Sequence, residues 1–144
     1  MSEPRHFSDV EKMFRAAEMN NQKTIEHLVN NENMPIDTND YSGRTPAHIA
    51  AMYGHVNIVK FLVTKDPSIL KVVDRSRETI LMKAITYGHF GVVKYLVENC
   101  NVSITERSDK RHFGNAAIHL ATKFGQLEIL KYFLEEKNGD VNIE

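Results

Sequence analysis

A fourteen-residue pattern recurs along the chain and constrains its fold more than any other feature. AAMYGHVNIVKFLV, Ala50–Val63, returns as AITYGHFGVVKYLV, Ala84–Val97, an offset of 34 residues. It returns again as ATKFGQLEILKYFL, Ala121–Leu134, after 37 residues. Counting back by 34 from Ala50 finds a weaker copy, AAEMNNQKTIEHLV, Ala16–Val29. Self-similarity at such a period marks an array of stacked supersecondary units. One domain over 1–144 then contains four units, at about 7–39, 40–73, 74–110 and 111–144.

Each unit reads as two short helices. In the second, Thr45 suits an N-cap, and Pro46 suits the first helical position, where a missing N–H costs nothing. His48, Ala50 and Ala51 carry the helix to about Tyr53. Gly54 follows, where a sharp turn needs positive φ. A second helix runs from about Val56 to Thr64, with Val56, Val59, Phe61, Leu62 and Val63 as its apolar stripe. Phe90, Val93, Tyr95, Leu96 and Val97 repeat that stripe, and so do Leu127, Leu130, Tyr132, Phe133 and Leu134. So short a helix pair cannot bury its apolar face alone, and stacking completes the core.

Between pairs the chain is polar and turn-like. Asp40 and Gly43 suit a tight turn before the second unit, and Arg77 stands in the third unit where Gly43 stood. A non-Gly residue there either adopts the left-handed conformation, at about 1 kcal/mol, or forces another turn type. The three residues that lengthen the last period fall between Glu98 and Asn115. That loop is the longest finger, and it carries Asp109, Lys110, Arg111, His112 and Phe113.

Composition removes several function classes. Eighteen Lys and Arg against nineteen Asp and Glu give a net charge of -1. A nucleic-acid binder would need clustered positive excess, and a polybasic membrane anchor is equally unsupported. The first 30 residues carry charges throughout, without the apolar run of a secretory signal, and no window of 18 apolar residues exists to span a bilayer. Cys100 is the only cysteine, so no internal disulfide or paired-Cys metal site is expected. None of the seven histidines stands in an H-E-x-x-H spacing. His48 and His119 share one position in two units and read as structural hydrogen-bonding groups. His55 and His89 follow the turn glycines and read the same way. Gly54, Gly88 and Gly125 lie a repeat apart, so they form no phosphate loop. No metal, cofactor or catalytic residue is expected.

TPAHIAAMYGHVNIVKFLV and NAAIHLATKFGQLEILKYFL resemble the ankyrin repeat, most specifically at Thr45, Pro46, His48, Ala50, Ala51, Gly54, His55, Val59 and Leu62. The resemblance covers nearly the whole chain. It implies an all-α solenoid of helix-turn-helix units with hairpin-like tips, built for binding proteins and without a catalytic centre. The chain departs from the pattern at Ile80 and Met82, in place of Pro and His, so the first turn of the third unit is expected to lack both features. Ala116 replaces the fourth unit's Thr, with Asn115 available as a cap. Glu11, Lys12, Phe14 and Asn20 mark the first unit as a polar N-terminal cap. Gly139–Ile143 looks like a lead into another unit, as in a piece of a longer protein.

The family's variable binding positions are the tips and two places near the end of the first helix. Carried onto this chain they are Tyr41, Ser42, Arg44, Met52 and Tyr53; then Arg75, Ser76, Glu78, Thr86 and Tyr87; then His112, Phe113, Asn115, Lys123 and Phe124. Independently of the resemblance, Tyr53, Tyr87 and Phe124 recur in register and form an aromatic ladder along one side. Aromatic residues are favoured at interfaces because they combine large apolar area with small ordering cost. The expected function is a non-catalytic adaptor or scaffold that binds protein partners through a concave face, in the cytoplasm or nucleus and otherwise monomeric. Two alternatives follow from the resemblance: a competitive inhibitor, like those of Rel-type transcription factors in this family, and the recognition domain of a larger enzyme or channel.

Overall fold

The computed structural model describes residues 5–104 and 116–139. Among them α1 (Arg5–Glu18) is followed by α2 (Gln22–Asn30), and α3 (Pro46–Tyr53) by α4 (Val56–Lys65). Next come α5 (Ile80–Thr86) with α6 (Phe90–Asn99), and α7 (Ala116–Lys123) with α8 (Leu127–Gly139). The first helices α1, α3, α5 and α7 pack in series as one layer, and α2, α4, α6 and α8 form a second layer against them. No strand occurs among the described residues, so the described tips are turns rather than paired ribbons.

Local chemistry sets where the helices start and stop. The Thr45 hydroxyl accepts from the His48 N–H at 3.3 Å, and Pro46 opens α3. The helix ends at Gly54, with φ at +79°. Glycine is needed there twice over, because a Cβ would also lie 2.5 Å from Nδ1 of His89 in the next unit. Asn20, at the same place in the first unit, takes φ +62°, a conformation Asn tolerates better than most residues.

The alanine pairs decide how closely the units approach. Ala16, Ala17, Ala50, Ala51, Ala84, Ala117 and Ala121 are all buried between first helices. Ile58, Val59, Leu62, Val92, Val93, Leu96, Ile129 and Phe133 fill the space toward the second layer. Each such side chain contributes about 1.5–3 kcal/mol relative to exposure. One element was not legible in the periodicity. A 3₁₀ turn, Pro67–Lys71, is capped by Asp66 and buries Ile69 against α4 and α5.

The first unit's outer surface is more polar than the equivalent surface of the second unit. Lys12, Arg15, Thr24 and His27 stand where the second unit has Pro46, Ile49, Ile58 and Phe61. Pro46, Ile49 and Ile58 are buried, whereas Lys12, Arg15 and His27 are exposed along a shallow cleft.

Candidate functional site

The tips of the second and third units share one hydrogen-bond scheme. Asp40 Oδ1 accepts from the N–H of Ser42 at 2.9 Å and of Arg44 at 2.8 Å. Asp74 Oδ1 accepts from Ser76 and Glu78, both at 2.9 Å. Gly43 and Arg77 occupy the same left-handed place, at φ +78° and +64°. Arg77 therefore takes the strained alternative rather than a new turn type. The Arg75 N–H donates to the Ser42 carbonyl at 3.0 Å and binds one tip to the next.

These bonds sort the tip residues. Tyr41 is 83% exposed, and Arg75 and Ser76 are exposed beside it along the chain's outer edge. Ser42 and Arg44 are half-buried: the Arg44 Nε donates to Asp40 Oδ2 at 3.0 Å, and its Nη1 lies 3.8 Å from the Met52 sulfur. Glu78 is also held, by Lys83 Nζ at 2.8 Å. His112, Phe113 and Asn115, with the rest of the long finger from Glu106 onward, lie outside the described residues.

His48 joins two units. Its Nδ1 faces the Thr45 backbone N–H at 3.2 Å and hydroxyl at 2.8 Å. Its Nε2 then donates to the Glu78 carbonyl of the next tip at 2.9 Å. Burial lowers its pKa below the ordinary histidine value, although the Glu78 carbonyl and the Asp74 charge oppose the shift. The third unit's first helix starts without Pro and His, as expected, and the place of the histidine is taken by Met82. Its thioether sulfur accepts the Thr79 N–H at 3.4 Å, and the Thr79 hydroxyl accepts the Met82 N–H, so the third unit keeps its capping box without histidine. His119, in register with His48, is exposed rather than buried.

A further charge cluster escaped the sequence reading. Lys83 is buried, with Nζ 2.8 Å from both Asp74 Oδ2 and Glu78 Oε1. Burial alone would raise the Asp74 pKa, but the Lys83 ammonium and the N–H groups of Glu78 and Ser76 outweigh it and hold the carboxyl below its ordinary value. Lys83 shifts the other way: burial opposes its charge, yet Asp74 and Glu78 raise its pKa. The second unit has Ile49 in this position, so a lysine there could be read only as a lapse in the apolar pattern.

Two ladders run across the units where the first helices end. In the inner one, His55 Nε2 donates to the Glu18 carbonyl at 2.9 Å, and His89 Nε2 to the Met52 carbonyl at 2.8 Å. Gln126 Nε2 completes it with the Thr86 carbonyl at 3.0 Å. Glu18, Met52 and Thr86 are successive copies of one position, so the same bond ties each unit to its predecessor. The outer ladder contains Tyr53, Tyr87 and Phe124, 47%, 52% and 45% exposed. Met19 is its fourth rung, at 70%. The sequence reading missed Met19 because only aromatic residues were followed. Tyr53 donates to Glu18 Oε2 at 3.0 Å, and this bond, with the Glu18 charge, raises its pKa. Lys123 Nζ sits 5.5 Å from the Phe124 ring centroid. Met52 and Thr86 are half-buried beneath the strip, and the Thr86 hydroxyl has no partner among the described residues.

The structure thus brings the described sequence-selected residues into three groups, of which Tyr41, Arg75 and Ser76 are the exposed tip positions. Tyr53, Tyr87 and Phe124 form the exposed strip, with Lys123 beside it. Ser42, Arg44, Met52, Glu78 and Thr86 also carry bonds or packing that hold the stack together. A family model described as ankyrin repeats (3 copies) matches residues 13–108 and 69–144. The chain belongs to the ankyrin-repeat family, whose members are generally protein–protein interaction modules. A comparison with curated proteins returns no match. Among the described residues, no helix is long and apolar enough to cross a membrane.

Proposed function

We propose that this chain is a non-catalytic protein-binding module, an adaptor or scaffold, whose partner lies across the described tips and the ends of the first helices. One observation carries this reading. At a single repeat position, four successive units each place a large apolar side chain in solvent, Met19, Tyr53, Tyr87 and Phe124, while the alanines one turn earlier are buried. Core packing does not require that exposure, and aromatic side chains in such a row are suited to anchor a partner. The binding surface comprises this strip with Tyr41, Ser42, Arg44, Met52, Arg75, Ser76, Glu78, Thr86 and Lys123. By sequence register alone it extends to His112, Phe113 and Asn115.

The unit limits 7–39, 40–73, 74–110 and 111–144 belong to the same proposal, as do a monomeric free state and a cytoplasmic or nuclear site of action. The histidines at the unit joints already have structural tasks. His48, His55 and His89 each commit Nε2 to a backbone carbonyl, which supports a binding rather than an acid–base role.

Capture from native extract with the original chain, compared with a Tyr53→Ala/Tyr87→Ala variant, tests the surface. The partner should be retained by the first and lost, by at least about tenfold in affinity, by the second. Glu128→Ala, on the exposed side of α8, should bind like the original. Melting curves for each variant separate lost contact from lost fold. If the aromatic variant binds normally and Glu128→Ala does not, the partner uses the second-helix layer.

A further inference from the structure

The first unit carries an open seat whose equivalent in the second unit is filled by helices. There Pro46, Ile49 and Ile58 are buried, and α3 and α4 pack against α1 and α2. In the first unit the same face is a cleft of about 760 Å³, the size of an ordinary ligand site. Asp9, Lys12, Ala16 and Met19 follow one another at helical spacing, so the α1 wall of the cleft runs about 15 Å. Ala16 and Leu28, both buried, line its floor.

The rim of the cleft is cationic. Lys12, Arg15 and Lys23 are exposed around it, and their side chains form no ion pair or hydrogen bond among the described residues. Two carboxylates stand among the described lining residues. Glu32 is already engaged by His27 Nε2 at 3.5 Å, which leaves Asp9, buried toward the start of α1, to oppose three cations. The third unit shows what a cation at this register takes. Arg15 shares its repeat position with Lys83, whose Nζ lies 2.8 Å from both Asp74 Oδ2 and Glu78 Oε1. The first unit has His6 and Val10 where the third has Asp74 and Glu78, so it supplies Arg15 with neither carboxylate.

We infer that this cleft binds an acidic helical segment of a partner protein, its carboxylates paired with Lys12, Arg15 and Lys23. An apolar side chain of the segment rests on Ala16, Leu28 and Met19. The helical shape follows from the second unit, where this face is packed against helices. The acidic character follows from the charge left open, and complementary charge across an interface selects partners. Asp9 sets the direction: the acidic end of the segment lies toward Arg15 and Lys23, and an uncharged end lies over Asp9. The cleft shares only Met19 with the aromatic strip, so it is a second contact site with its own chemistry.

The test titrates the full chain with a blocked amphipathic helix of about fourteen residues, long enough to cover the α1 wall. The peptide carries Leu along one face and Glu beside it toward one end. Matched peptides replace Glu by Gln, or keep the composition and scramble the order. The Glu peptide should bind saturably and about tenfold more tightly than the Gln peptide, the sum expected of three exposed ion pairs. Raising the salt from about 0.05 M to about 0.5 M should remove most of that difference. Arg15→Ala should weaken the Glu peptide about threefold, and Lys12→Ala/Arg15→Ala/Lys23→Ala should bring it to the Gln level. Lys131→Ala, on the exposed side of α8, should change nothing, and melting curves for each variant report the fold. Equal binding of the Glu and Gln peptides, or a folded triple variant that binds like the original, overturns the inference. A scrambled peptide that binds as tightly as the ordered one also overturns it, because the cleft is then a general anion patch rather than a helix seat. Tyr53→Ala/Tyr87→Ala should leave the peptide affinity unchanged, so the cleft and the aromatic strip stand or fail separately.

Discussion

The second and third units solve one folding problem with different residues. Both tips fold around an aspartate that accepts two backbone N–H groups, and both first helices start at a threonine. Around that shared frame nearly every other choice differs. The second unit has Gly43 at the left-handed place, Pro46 at the helix start, His48 behind the cap, and Ile49 inside. The third has Arg77, Ile80, Met82 and Lys83 in the same places. The substitutions form compensating sets. Arg44, which pairs with Asp40 at 3.0 Å, becomes Glu78, and the buried isoleucine becomes the lysine that pairs with both Asp74 and Glu78. Backbone geometry is preserved while the charges are rewired, so position in the repeat fixes the shape of a residue's surroundings more firmly than it fixes chemistry.

The largest expected effect comes from undoing half of that exchange. Lys83→Ile restores the second unit's apolar residue but leaves Asp74 buried without its cation. Removing one member of a buried pair typically costs about 3–5 kcal/mol. Adding Glu78→Arg should return most of the loss, since an arginine there can reach Asp74 as Arg44 reaches Asp40. Urea unfolding of the two single variants and the double reads the coupling. A Lys83→Ile variant as stable as the original would mean that the ion cluster is incidental to the tip.

What the sequence disclosed, and what it withheld, divides along the same line. Small and turn residues are read correctly because their reasons are local. Gly54 and Gly88 announce a positive φ, the alanines announce close approach, and Leu96 is fully buried as its helical register requires. The aromatic strip was visible as a recurrence. Contacts between units were hidden, because their partners lie 30–40 residues apart in sequence. Nothing near His89 names the Met52 carbonyl, and nothing near His48 names the Glu78 carbonyl. The cap at Met82 was hidden for a different reason: the pattern asks for histidine, whereas the physical need is only for an acceptor facing the Thr79 N–H, and a sulfur supplies one. Met19 was passed over because it shares the ladder's exposure but not its ring.

His48→Met tests whether the third unit's solution can be transplanted. Met82 shows that a thioether can satisfy the cap, so the local half of His48's work should survive. The Nε2 bond to the Glu78 carbonyl would be lost, at a cost of about 0.5–1.5 kcal/mol, since that carbonyl still accepts the Asp74 N–H at 3.1 Å. A pH arm separates the imidazole from its shape. Burial lowers the folded-state pKa of His48, so the unfolded chain takes up a proton there more readily. Its contribution is therefore complete above the unfolded value of about 6.5 and is lost as pH falls from there toward the lowered folded value. The difference in stability between the original and His48→Met should shrink on acidification through that window. A difference that stays constant from pH 7.5 to pH 5 would show that His48 does not titrate across folding.

The smallest effect concerns the left-handed place itself, and here the two units should respond with opposite signs. Arg77 holds φ at +64°, which costs a residue with a Cβ about 1 kcal/mol. Arg77→Gly removes that strain but enlarges the entropy of the unfolded chain, so the net gain should be about 1 kcal/mol or less. Gly43→Ala runs the exchange in reverse under a tighter constraint. Its φ is +78°, and the new Cβ would stand 3.0 Å from the Arg75 backbone nitrogen, the group that ties the two tips together through the Ser42 carbonyl. That neighbour is backbone, so it cannot rotate away, and the substitution should cost more than Arg77→Gly gains. Melting temperatures of the two variants decide it: a rise for Arg77→Gly with a larger fall for Gly43→Ala supports a tip geometry imposed on Arg77 by the stack. A fall for both would mean that the Arg77 side chain helps to build its tip, and that strain at this position is offset locally rather than by the neighbouring unit.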